Sequence, residues 1–502
     1  MKKILPLLLF GLPGLTASAD RPNIIFIMSD DHSMQTISAY GGLLKDFSAT
    51  KNIDRLAKSG MMLTNAFCTN SISTPSRAAI LTGRYAHKNG VYTLNDILNP
   101  QLPTSAKMLQ SAGYATGIIG KWHLKSEPQG FDYYCVLPGQ GVYENPRFKE
   151  KTSLKEHFEI DKGIEVNGYS TDIIGDKAVE WISKQDSTKP FMLMCHFKAP
   201  HRNWIPAERF RTLFEDCMIP EPHNLLDNYE GKGNYTDFIR MGLEHMKVSD
   251  VKQELPQNIS RDELRKWAYQ IYMKDYLRCV AGVDENVGKI LDYLDKCNLT
   301  ENTIVIYTSD QGFFMGEHGW FDKRLMYDQA IKMPFLIRYP KEIAANTVNN
   351  DFILNIDFAP TLLDFAEVFP EREMQGKSFR KILNQNQTSK DWRKSIYYRY
   401  WMNDDVAHHV PAHMGVRNNR YKLILFYKQS LGKTGTGISS SDFEWEFYDL
   451  INDPEEMTNL YYNPAYAKHI ADLKRELLML RAEYEDEDLD FPGISDMIVR
   501  NL

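Results

Sequence analysis

The chain has 502 residues, 43% hydrophobic and 25% charged, with 59 Lys and Arg against 66 Asp and Glu for a formal net charge of −7. Such proportions belong to a soluble globular protein and exclude a disordered or collagen-like chain, and the length suits one large domain with a smaller companion. The acidic balance, without any long basic run, argues against a nucleic-acid partner but leaves room for a local basic pocket around an anionic substrate.

The N-terminus reads as an export signal: Lys2-Lys3, a mostly apolar stretch over residues 4–15, then Ala17-Ser18-Ala19 before Asp20. The apolar run is shorter than the roughly 20 residues needed to span a bilayer, and no Cys follows it to carry a lipid. A periplasmic or secreted protein with a signal over 1–19 is expected, with no membrane attachment after cleavage. The six cysteines form no CxxC pair and no zinc pattern; their pairing is open, and Cys195, inside an apolar run, is expected to be a buried free thiol.

Short apolar runs at 23–28, 115–119, 191–197, 303–308 and 334–338 predict buried parallel strands. Helical patterns at 52–59, 105–112, 178–185 and 276–296 alternate with them. The fold class expected is therefore α/β, a large mostly parallel sheet sandwiched by helices. From about residue 376 the texture changes. Runs at 395–402, 413–427 and 444–450 read as antiparallel strands and 464–485 as a charged closing helix, giving a catalytic domain over 20–375 and a smaller C-terminal α/β subdomain over 376–502. The Gly/Ser/Thr-rich 428–441 predicts a mobile loop, and the polar 227–257 an insertion near the site.

In a sheet of this kind ligands bind beyond the carboxyl ends of the strands. Asp30-Asp31 follows the first run, Lys121 and His123 the second, His201 the third, and Asp310-Gln311 the fourth. Taken singly, each has a plain reading as an Asp-rich turn, a packed His or a surface Lys; the shared edge is what makes them a site. Three carboxylates and an amide form an all-oxygen set suited to a hard cation, Ca2+ ahead of Mg2+, and the lack of clustered His and Cys argues against zinc. Between these pieces lies Ser73-Thr74-Pro75-Ser76-Arg77, followed by Leu81-Thr82-Gly83-Arg84, and after them Gly316 to Arg324 brings Lys323.

This order of motifs, Asp-Asp, Ser-x-Pro-x-Arg, Gly-Lys-Trp-His, Pro-His and Ser-Asp-Gln-Gly with a later Lys, resembles the type I formylglycine-dependent sulfatases of the alkaline phosphatase superfamily over nearly the whole mature chain. The resemblance implies that Ser73 is oxidised to formylglycine, and that Asp30, Asp31, the modified Ser73, Asp310 and Gln311 hold calcium. Many relatives carry Asn at the last position; Gln keeps the amide oxygen on a longer arm. It further implies that Arg77 and the metal polarise the aldehyde hydrate and that Asp310 takes a proton from its attacking hydroxyl. Lys121, His201 and Lys323 hold the sulfate oxygens, His201 (ahead of Lys323) protonates the leaving oxygen, and His123 takes the second hydroxyl's proton. On this reading Lys121→Ala or Lys323→Ala lowers turnover far more than stability. A serine at position 73 implies an oxygen-independent maturase, the anaerobic sulfatase-maturing enzyme, as a partner.

The stretches 198–206, 316–324, 398–401 and 408–413 are similar to bacterial N-acetylglucosamine-6-O-sulfatases, which implies a sulfated carbohydrate substrate, an exo-acting 6-O-sulfatase of mucin or heparan-type glycans, and Arg202, Asn203, His409 and His413 as sugar contacts. Rival readings are a sulfatase for galactose-, galactosamine- or uronate-sulfate, a phosphomonoesterase or diesterase, which would lack the Ser-x-Pro-x-Arg signature, and a glycan-binding protein whose Ser73 stays unmodified.

Overall fold

Why the first apolar run forms the centre of the molecule follows from its composition. Residues Asn23–Ser29 are almost all large and apolar, without alternation, so both faces must be covered. In the computed structural model, which describes residues 21–386, 388 and 390–500, this strand is flanked in parallel by Phe191–Phe197 and Thr303–Ser309, and Ala115–Lys121 adds in parallel beyond Phe191–Phe197. Ile24, Phe26 and Met28 enter one core and Ile25 and Ile27 the other. The helices Ser73–Thr82, Ser105–Ser111 and Phe358–Phe365 build the first core, Ser170–Ser183 and Arg261–Lys296 the second. The export signal expected over 1–19 lies outside the described residues; among the described residues no helix is long and apolar enough to cross a membrane.

These strands belong to an 11-stranded sheet, and a separate four-stranded antiparallel sheet follows in the C-terminal region. That smaller sheet is Ser395–Tyr400, His413–Asn418, Tyr421–Phe426 and Glu444–Asp449 in order, so 413–427 is a hairpin of two strands. The helix Ala467–Glu483 packs on three of its strands.

The run at 334–338 needs correction. It forms Lys332–Arg338, antiparallel to Thr303–Ser309 on one side and to Met61–Phe67 on the other. An apolar run encodes burial on both faces but not direction. Direction is set by the connection, here the loop 310–331, which turns back instead of crossing over. Met61–Phe67 was not anticipated, since its polar Thr64 and Asn65 break the apolar run at a register shift. The long helix starts at Arg261, capped by Ser260 and Glu263 in a reciprocal box, so the periodic stretch from 276 is its second half. All six cysteines are free thiols, Cys195 among the buried ones.

Candidate active site

Register brings the site together. Ser29 pairs with Phe197 and with Ser309, so Asp30, Lys198 and Asp310 leave the sheet side by side. Lys121 ends the next strand out, one residue after Gly120, whose φ of 103° and whose approach to His196 leave no room for a Cβ, which would meet the His196 carbonyl oxygen at 1.9 Å. Ser73 opens a wholly buried ten-residue helix that Pro75 tolerates in its first turn. The helix ends on Gly83, at φ 65°.

Within this frame the Ser73 hydroxyl donates to Asp30 Oδ1 at 3.2 Å. Arg77, one turn along the same helix, spans the site: Nε and Nη2 each reach Asp310 Oδ2 at 3.1 Å, Nη2 lies 3.4 Å from Asp30 Oδ1, and Nη1 donates to the Lys121 carbonyl at 2.9 Å. Lys121 Nζ pairs with Asp30 Oδ2 and donates to Gln140 Oε1 at 2.6 Å. Lys323 Nζ donates to Asp31 Oδ2 at 2.7 Å. The Asp31 amide donates to Asp310 Oδ1 at 3.1 Å, and Gln311 Nε2 donates to both Asp31 Oδ1 and Asp310 Oδ1, the latter at 2.8 Å.

Three buried carboxylates beside three buried cations give a local charge balance, and the electrostatics divide the acids. Burial raises the Asp30 carboxyl, but Lys121, His201 and Arg77 together hold it well below the usual carboxylate range. Burial and the neighbouring Asp30 push Asp310 up to about 7, and burial raises Asp31 in spite of Lys323. Burial and Lys121 keep His123 and His201 neutral, well below the ordinary imidazole range. Lys323 rises despite its burial, because Asp31 and Asp322 favour its charge.

The donor set fits a hard divalent cation. Asp30, Asp31 and His201 bring ligand atoms within 4.8 Å of one another, and Asp310 touches the same group. The Gln311 Oε1 is buried without a hydrogen-bond partner while its Nε2 faces two carboxylates. Turning that amide over would aim its oxygen where the acids converge, and the two orientations are not distinguished by shape. A cation there would satisfy the orphaned oxygen and the crowded carboxylates together.

The two site histidines differ in support. His201 donates through Nδ1 to the Arg202 carbonyl, 2.7 Å away, and turns Nε2 toward Asp31 Oδ2 at 3.7 Å. His123, at a positive φ of 58°, rests on the Thr74 hydroxyl at 3.4 Å through Nδ1. In the free protein Lys323 holds its proton firmly, whereas Nε2 of the neutral His201 is without one.

The residues named as sugar contacts fare differently. Arg202 is bound by Asp250 through Nε and Nη2 at 2.7 and 2.6 Å, and Asn203 Nδ2 reaches the same carboxylate at 2.8 Å. Asp250 comes from the 227–257 stretch, which therefore packs against the residues that follow His201. His409 pairs with Asp404 at 2.8 Å and stays partly exposed. His413 is fully buried in the C-terminal sheet, stacked on Tyr398 and Tyr400, with Nδ1 at the Pro411 carbonyl.

Sequence reasoning missed the group around Lys323. Asp322, Arg324, Asp405 and His408 meet there: Arg324 lies 3.5 Å from Asp322 and 3.6 Å from Asp405, and His408 lies 3.5 Å from Asp322 and 2.9 Å from Asp405. Arg324 Nε and Asp405 Oδ2 have no hydrogen-bond partner. Two loops far apart in sequence build this cluster, so no local spacing marks it; the charged string Asp322-Lys323-Arg324 was the available signal. The cavity of about 790 Å³ lined by Thr50, Arg209, Asp284 and Glu285 holds none of the site residues.

A sheet edge carrying clustered acids, a helix-borne hydroxyl and a ring of fixed cations defines a hydrolase of oxyanion esters. Comparison with known proteins narrows the class. Residues 22–368 match the Sulfatase family, and residues 316–483 match the family described as N-sulphoglucosamine sulphohydrolase, C-terminal. The chain is 42% identical to an N-acetylglucosamine-6-O-sulfatase of Bacteroides thetaiotaomicron, over 94% of this chain and 88% of the relative. It is 25% identical to the N-acetylglucosamine-6-sulfatase of Homo sapiens, over 90% of this chain and 83% of that one. Among solved structures, BT4656 in complex with its substrate D-glucosamine-2-N,6-O-disulfate superimposes with a TM-score of 0.85 at 41% identity, covering 94% of this chain and 99% of the other. The fold alone extends to a phosphonate monoester hydrolase of Agrobacterium radiobacter, at a TM-score of 0.70, 20% identity and coverage of 94% and 97%. The chain belongs to the sulfatase family and is a sulfuric ester hydrolase.

Proposed function

We propose that this sulfatase is an exported, exo-acting N-acetylglucosamine-6-O-sulfatase that removes 6-O-sulfate from mucin or heparan-type glycans, using calcium and a formylglycine made from Ser73. The observation that carries the specificity is the 42% identity to the Bacteroides thetaiotaomicron enzyme along 94% of the chain. The hydroxyl of Ser73 on Asp30, with Arg77 one turn on, supports position 73 as the reacting residue. Asp30, Asp31, Asp310 and Gln311 would hold the cation, which supplies Lewis-acid polarisation when bound. An aldehyde hydrate at position 73 would offer a far better nucleophile than a serine hydroxyl.

The remaining chemistry rests on the chain's own groups. Arg77, Lys121 and Lys323 hold fixed positive charge in a buried setting, where it acts strongly on charge that builds on sulfate oxygens. Burial and Asp30 raise the Asp310 carboxyl in the cation-free protein; a bound cation would favour its carboxylate form, in which it can accept the proton of the attacking hydroxyl. Lys323 carries the proton for the leaving oxygen in the free protein, and His201 joins it once sulfate lies alongside. His123, neutral, can accept a proton. The Asp322, Arg324 and His408 group beside Lys323 offers donors and acceptors suited to sugar hydroxyls. The chain's division near residue 375 and its export to the periplasm or exterior belong to the same proposal.

The test is to express the protein with and without an anaerobic sulfatase-maturing enzyme. Sulfate release is then measured from N-acetylglucosamine-6-sulfate, galactose-6-sulfate, N-sulfoglucosamine and a uronate sulfate, alongside peptide mass spectrometry across Ser73. Loss of two hydrogens at Ser73, with release confined to the 6-sulfated glucosamines and only after maturation, is the expected result. Equal activity with intact Ser73 refutes the formylglycine mechanism, and preference for another sugar refutes the specificity.

A further inference from the structure

Lys198 stands outside every role assigned above. It follows directly on the strand Phe191–Phe197 and is 3% exposed. Among the described residues no carboxylate lies within ion-pairing distance of it. A buried ammonium without a paired counter-ion is costly, so the groups around it must offset that cost. Its Nζ lies over the Tyr143 ring at 4.9 Å and makes a long contact of 3.5 Å with the Arg202 carbonyl oxygen.

That carbonyl is the one His201 Nδ1 uses, at 2.7 Å. Tyr143 donates its hydroxyl to the His201 carbonyl at 2.5 Å, and the His201 amide closes a turn on the Lys198 carbonyl at 3.0 Å. The Tyr143 hydroxyl and the Lys198 ammonium thus hold the two successive peptides that follow His201. Because a carbonyl oxygen can only accept, the His201 contact puts the proton on Nδ1 and leaves Nε2 facing Asp31, and Lys198 helps to hold that oxygen where the ring meets it. Burial and the nearby Lys121 bring Lys198 down to about 8, and Asp30 and Asp31 across the site help it keep its charge at neutral pH.

We propose that Lys198, acting with Tyr143, is a positioning residue that fixes the tautomer and orientation of the His201 imidazole toward the reaction centre. The proposal rests on the sulfatase reading, in which His201 faces the sulfate ester. An alternative use of the same ammonium, as one more direct ligand of the sulfate, gives a different outcome in the test.

The matured enzyme is prepared as K198M, K198R, H201A and the K198M/H201A double variant, and kcat and KM are measured on N-acetylglucosamine-6-sulfate. Replacing a buried ion with an isosteric apolar chain is commonly neutral or stabilising, so the melting temperature of K198M should hold or rise. Its kcat should nevertheless fall about 10- to 100-fold, as for the loss of other supporting partners of site histidines, with KM changed less than about twofold. K198R should recover most of the loss, and K198M should cost nothing further in the H201A background. Independently of turnover, the imidazole 15N shifts of His201, assigned by their loss in H201A, should report Nδ1–H in the wild type and a tautomer mixture in K198M. An unchanged kcat in K198M, losses that multiply in the double variant, or an unaltered His201 tautomer would each overturn the proposal. If the wild type releases no sulfate, or H201A is as active as wild type, the functional reading fails instead, and the tautomer spectrum still decides the role of Lys198.

Discussion

Replacing Lys121 with Met separates two duties that this lysine performs. In the structure its ammonium is fully buried and pairs with Asp30, which without it keeps Arg77 at 3.4 Å and the Ser73 hydroxyl at 3.2 Å. Breaking a buried ion pair costs about 3–5 kcal/mol, and these surviving partners put the loss near the lower end, about 3 kcal/mol. An unfolding entropy of about 2.1 cal/mol/K per residue over this chain makes 1 kcal/mol worth about 1 °C, so metal-free K121M should melt about 3 °C below wild type. Calcium should narrow that gap. In the wild type the ammonium and the cation compete for Asp30, so K121M should gain more in melting temperature from calcium than wild type does, by about the same 3 °C. A ligand at 100 times its Kd contributes about 2.7 kcal/mol, which sets the scale of the calcium effect. Turnover should stay down by about 100- to 1,000-fold at saturating calcium, since no ammonium then meets the sulfate. Differential scanning fluorimetry in chelator and in calcium, with sulfate release measured in parallel, provides both readings. An equal calcium shift in the two proteins would refute the shared use of Asp30, and retained turnover would remove Lys121 from the machinery. The expectation that Lys121 matters for turnover far more than for stability thus becomes conditional on the cation.

Asp250→Ala should free Arg202 and Asn203 from bonds of 2.6 to 2.8 Å, lowering stability by about 2–3 kcal/mol by calorimetry and raising KM for the sugar sulfate. His408→Ala should raise KM for the 6-sulfated sugar while leaving turnover of 4-nitrophenyl sulfate within about twofold, because the aryl ester has no hydroxyls to read; equal effects on both esters would count against a sugar-reading role. Asp284 caps the helix Ile53–Ser59 by accepting from the Asn52 and Ile53 amides at 2.8 Å, and burial pushes its carboxyl up to about 6. A folded value above the unfolded one means that stability is greatest at low pH and is lost as pH rises from about 4 to about 6. The loss amounts to about 2–3 kcal/mol at 1.36 kcal/mol per unit. Wild type compared with D284N in denaturant titrations at pH 4 and 7 should reveal that slope, and parallel curves would refute it.

The sequence by itself determined the class of fold and which candidate residues meet at one edge of the sheet. Unbroken apolar runs require covered faces, and in a parallel sheet whatever follows such a run emerges at one edge; Asp30, Lys121, His201 and Asp310 were therefore legible together before any coordinates. What sequence left open depends on contacts between distant segments. The direction of Lys332–Arg338 is set by how the loop 310–331 returns, and burial alone carries no sign of it. Arg202 and Asn203 look like free polar groups until the insertion delivers Asp250 against them. That His413 stacks on Tyr398 and Tyr400 is likewise a product of strand pairing that no local spacing shows. The charge states, too, are tertiary properties: Asp30 and Asp310 have the same chemistry and the same burial, and the placement of Lys121 against Asp30 drives that carboxyl down while burial and Asp30 lift the other. Local sequence specifies which groups reach the edge of the sheet, and three-dimensional packing decides which of them remain free to meet a substrate.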